Sequence, residues 1–69
     1  MSPAQIEAWT VAIEALIKIG GYAVSVVQGW FHASNPELTE AQYDQAWTAI
    51  ETSDRIRQAI AHEASGAGE

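Results

Sequence analysis

His32 and His62 are the only candidate nitrogen ligands in this 69-residue chain, which has no cysteine. Two imidazoles fall short of the four ligands a closed structural zinc site takes, so no metal is expected within one chain. The run "HEAS" at 62–65 starts like the H-E-x-x-H zinc motif but is followed by Gly66. Nucleophilic catalysis needs a Cys or Ser beside a His that a carboxylate orients, and neither histidine has such a set at a recognisable spacing. "GGY" at 20–22 lacks the spacing and the Lys-Ser/Thr that complete a phosphate loop. The residues predict a non-enzymatic protein with no catalytic residue and no cofactor.

The carboxylates have other uses. Glu40, Asp44, Glu51 and Asp54 form a stripe in helical register, with Glu37 before it and Trp47 on its border. Such a stripe can be a solubilising face, a docking face for a basic protein surface, or a mimic of a phosphate backbone. Five carboxylates are sparse for the last role. For docking, Tyr43 and Trp47 sit one helical turn apart, and Trp and Tyr dominate interface hot spots while rim charges set encounter rate. The candidate partner-binding residues are thus Tyr43, Trp47, Glu40, Asp44 and Glu51. Trp30 and Phe31 form a second aromatic pair, read either as a contact patch or as a plug at a bundle end.

Composition narrows the partners. Nine carboxylates oppose Lys18, Arg55 and Arg57, a net charge of -6. Nucleic acid and anionic lipid both call for clustered Lys and Arg, so neither is an expected ligand. The N-terminus has no positive region of a secretory signal, and a cytoplasmic location is expected. A chain this short seldom builds a core worth more than ~3–5 kcal/mol without disulfides, metal or a partner. Oligomerisation is the support that remains.

Two capping boxes define the elements that carry these residues. Ser2 with Gln5, and Pro3 at the first helical position, open one helix; Thr39 with Gln42, and a Leu38–Tyr43 staple, open another. The pattern predicts an all-α hairpin: helix 3–31, turn 32–39, helix 40–64 and a disordered tail 65–69. "ETSD" at 51–54 is a candidate break, with continuity preferred. On the first helix Ile6, Trp9, Ile13, Leu16, Ile17, Val24, Val27 and Phe31 share one side at 3–4 spacing. Ala12, Ile19, Ala23, Val26 and Trp30 widen the arc to about half the circumference, too wide for one antiparallel neighbour. Gly20, in seven-residue register with Ile6, Ile13 and Val27, suggests close backbone approach; a hinge is the alternative. Glu14 has Lys18 four residues on, and Arg57 as a conceivable partner on the second helix.

A homodimer follows, with two hairpins forming an antiparallel four-helix bundle. Its predicted interface is Ile6, Trp9, Ile13, Leu16, Ile17, Gly20, Val24 and Val27. A membrane span is the competing use of so apolar a segment. Ile19–Phe31 covers only about 20 Å at 1.5 Å per residue, and extending it to Trp9 buries Glu14 and Lys18 at ~2.5–3.5 kcal/mol each near the centre. A protein interface is preferred over a span.

In length, acidity, capped two-helix plan and the "LTEAQYDQAW" stretch, the chain resembles small accessory proteins of tailed bacteriophages. It is similar in plan to the quorum-sensing anti-activator class of Pseudomonas phages. That resemblance implies a helical dimer that binds and inhibits or modulates a host protein, with Tyr43 and Trp47 as candidate contacts. A holin-like membrane protein and a structural subunit of a phage particle are the alternatives from the same setting.

Overall fold

The computed structural model describes the backbone of residues 1–66 and the side-chain surroundings of residues 1–62. Among the described residues the chain is all-helical: α1 (Pro3–Lys18), α2 (Val24–Ser34), α3 (Glu40–Glu51) and α4 (Asp54–Gly66). Both capping boxes form. Ser2 Oγ accepts from the Gln5 N–H at 3.2 Å while Gln5 Oε1 accepts from the Ser2 N–H at 2.9 Å. Thr39 and Gln42 repeat the exchange at 3.2 and 3.0 Å, each box satisfying two donors that a helix start leaves free.

The expected helix 3–31 is two helices. α1 ends at Lys18, and Gly21 takes φ 69°, a left-handed conformation that costs other residues ~1–2 kcal/mol. The reversal lets the Tyr22 N–H donate to the Leu16 carbonyl at 3.2 Å. A Cβ on Gly20 would lie 2.8 Å from that same carbonyl and from the Tyr22 ring. Glycine is needed here for a tight turn, so the close helix approach expected at Gly20 is corrected to the hinge alternative.

The expected helix 40–64 also divides, at Thr52–Ser53, because hydroxyls there compete for backbone groups. Thr52 Oγ1 donates to the Thr48 carbonyl and Ser53 Oγ to the Ile50 carbonyl, both at 2.6 Å. Ser53 Oγ then accepts from the Ile56 N–H at 3.3 Å, capping α4. The expected turn 32–39 shortens to 35–39: Asn35 Nδ2 donates to the Phe31 carbonyl at 2.9 Å and Pro36 disfavours continuation. α4 runs to Gly66, so residues 65 and 66 of the expected tail are helical; residues 67–69 lie outside the described residues.

The four helices therefore come from one chain instead of from two paired hairpins. α1 is the central element. α4 packs on it most extensively, α3 and α2 also lie against it, and α3 touches α4. The shape is elongated, with Cα extents of 40 × 20 × 16 Å. All four helices supply the core: Ile13 and Ile17 from α1, Val27 and Phe31 from α2, Ala46, Trp47 and Ile50 from α3, Ile56 and Ala59 from α4. Thr10 is the one buried polar side chain in this region, and its hydroxyl donates to the Ile6 carbonyl at 2.7 Å. No described helix is long and apolar enough to cross a membrane.

Candidate interaction surface

Phe31 organises the packing. It is fully buried, with Trp9 edge-on at 5.1 Å, Tyr43 stacked at 5.8 Å and Trp47 tilted at 5.8 Å between ring centroids. Such aromatic pairs add ~0.5–1.5 kcal/mol each beyond burial. Aromatic residues from α1, α2 and α3 thus meet at one ring, and α2 is held back against α1 by the Trp9–Phe31 contact and a Trp9–Trp30 contact at 4.9 Å.

This arrangement redistributes the residues that periodicity had grouped. Of the expected dimer interface, Ile13, Ile17 and Val27 are in the chain's own core, at most 1 % exposed. Ile6, Trp9, Leu16 and Val24 pack partly buried against that core, while Gly20 sits exposed in the turn. The turn at Gly20–Gly21 folds α2 back, and α3 and α4 of the same molecule cover the stripe meant for a twin. Those eight residues do not form one free face.

The expected partner-binding set also splits. Trp47 is 5 % exposed and belongs to the core, so it is corrected from anchor to packing residue. Tyr43 is half-buried between Phe31 and His32, whose ring meets it edge-on at 4.4 Å. Glu40, Asp44 and Glu51 are exposed, as a docking or a solvating face would require. Glu14 pairs with Arg55, at 3.2 Å across α1 and α4, instead of with Lys18 or Arg57. Restarting the helix at Asp54 rotates α4, which turns Ile56 and Ala59 inward and leaves Arg57 exposed.

Among the described residues, two concavities bear on function. One, of ≈ 510 Å³, lies between the N-terminus of α1 and the α3–α4 junction, with Glu7, Asp54 and Arg55 on its wall. The other is larger, ≈ 750 Å³, and runs between α1 and α2; Leu16, Ile19, Tyr22, Val26 and Trp30 line it with small residues and Gly20. Its walls hold no charged side chain. Ile19 is 88 % exposed, Val26 56 %, Tyr22 51 % and Trp30 44 %. Ile19, Val26 and Trp30 are outer members of the wide apolar arc, left over after the chain has covered much of the rest, and Tyr22 joins them from the turn. Trp30 and Phe31, read as one patch, part company: Phe31 is the hub and Trp30 faces the groove.

Among the described residues no group of three or more metal-ligating side chains converges. Comparison with protein-family models, curated proteins and solved structures finds no match.

Proposed function

We propose that this chain is a non-enzymatic protein-interaction module: it self-associates as a homodimer and turns the acidic side of α3 toward a host protein with a basic surface. The resemblance in plan to phage anti-activator proteins supplies the setting, a phage accessory protein that inhibits or modulates its host partner. The observation carrying the reading is the apolar groove between α1 and α2, open to solvent along Ile19, Tyr22, Val26 and Trp30. Exposed apolar area costs ~25 cal/mol per Å² relative to buried area, and contiguous patches of it mark association sites. Glu40, Asp44 and Glu51 lie outside the groove and support a second, polar contact in which opposite charge speeds encounter.

Affinity capture from a bacterial host lysate tests the host-protein half. Wild type is compared with a Glu40→Lys, Asp44→Lys, Glu51→Lys variant, all at exposed positions that leave the core intact. A captured protein lost from the variant, and released as salt rises, is the expected result. Identical captures by both would contradict the acidic docking face.

A further inference from the structure

We infer that the α1–α2 groove is occupied by a second copy of the chain, with Ile19 of each molecule seated in the groove of the other. This rests on the proposed homodimer and assigns it a face that the helical periodicity had not chosen. Three observations favour a copy over another occupant.

The first is charge. Each molecule carries a net charge of -6, so most pairings of two copies bring carboxylates together. The groove walls carry none: Glu37, Glu40, Asp44 and Glu51 belong to α3 and the turn before it, and Asp54 opens α4. On α1, Glu7 lies outside the lining and Glu14 is paired with Arg55. Two copies can meet there with the least repulsion. A basic protein would gain no ion pair from the same surface, and a small polar ligand would find only the Tyr22 hydroxyl and the Trp30 indole to orient it.

The second is shape. One patch holds both a projecting side chain, Ile19, and a groove of ≈ 750 Å³ beside it. A two-fold interface requires such self-complementarity, because each residue that inserts must find its receptor on an identical surface.

The third is area. Tyr22 and Trp30, each about half exposed, offer on the order of 200 Å² between them. Ile19, 88 % exposed, and Val26, 56 % exposed, bring the apolar centre to the ~300 Å² at which patches become functional. A stable interface takes ~800 Å² per partner, so the residues around this centre must supply the remainder as its rim. α2 gains most from this cover: its N-cap, Ala23, makes no side-chain hydrogen bond, and its outward residues include Val26 and Trp30.

Sedimentation equilibrium of the full chain and of Ile19→Lys tests the assignment, with Val26→Lys as a second variant. At Ile19, the C-cap of α1, lysine suits the helix dipole, and at either position it lowers the net negative charge of each copy. Within one molecule Ile19 touches almost nothing, and a purely intramolecular role would leave the variant's mass unchanged. The expected outcome is twice 7.4 kDa for wild type and a single-chain mass for both variants, whether or not helix content falls with dissociation. A dimeric wild type with dimeric variants would overturn the groove assignment and leave the homodimer standing. A wild type that stays at 7.4 kDa would overturn both, and its co-flotation with neutral phosphatidylcholine vesicles would give the face to a lipid surface instead.

Discussion

Phe31 has no exposed surface and three aromatic neighbours, and Trp47 shares its pocket. Truncating either leaves a cavity that rigid helices cannot close, a loss of ~3–5 kcal/mol for an aromatic-to-alanine change. Phe31→Ala is therefore expected to abolish the cooperative urea transition of a domain this small. Trp47→Ala should do nearly the same. If Trp47→Ala instead kept its transition midpoint and lost only a binding partner, its placement in the core would be wrong. The ion pair between Glu14 and Arg55 is of another order. Arg55 is 55 % exposed in its side chain, and surface pairs contribute ~0–1 kcal/mol. Arg55→Ala should move the urea midpoint only slightly, and less at high salt than at low.

Among the helices, the two starts with capping boxes were legible, whereas the interruptions at Gly20–Gly21 and within 51–54 were visible only as alternatives to continuous helices. A capping box is a local exchange of two hydrogen bonds, so Ser2–Gln5 and Thr39–Gln42 could be found by spacing alone. Breaks depend on a contest between local and tertiary preferences. Gly20–Gly21 and Thr52–Ser53 are each compatible with a continuing helix at modest cost. They break because folding α2 onto Trp9 and α4 onto α1 buries more apolar surface than a straight helix would. The break at Thr52–Ser53 then shifted the register beyond it, so that Arg55 and not Arg57 pairs with Glu14. Two substitutions check the corrected boundaries by urea denaturation. Gly21→Ala forces a side chain into a positive φ and should cost ~1–2 kcal/mol. Ser53→Ala removes the α4 cap and should cost ~1 kcal/mol. Either variant proving more stable than wild type would restore the longer helix at that junction.

For the whole molecule, the width of the apolar arc on the first helix was the informative signal. It stated that one neighbour could not cover the segment, but it could not say which neighbours the chain itself would supply. Three came from within, and what they leave bare is the groove edged by Ile19, Tyr22, Val26 and Trp30. Of the residues first assigned to the twin, Ile13, Ile17 and Val27 are in the core and Ile6, Trp9, Leu16 and Val24 pack against it. Ile19, Val26 and Trp30, from the arc's margin, are exposed. No charged residue lines that groove, and under the proposed function the acidic side of α3 meets a partner of opposite charge while a second copy fills the groove.

The central claim is that this surface is buried by association. The most direct measurement is the thermal midpoint of the full chain, followed by circular dichroism over a roughly hundredfold range of chain concentration, because a dimer's stability is set by mass action. The midpoint should rise steadily with concentration in wild type and stay flat in Ile19→Lys. A wild-type midpoint independent of concentration would contradict the account.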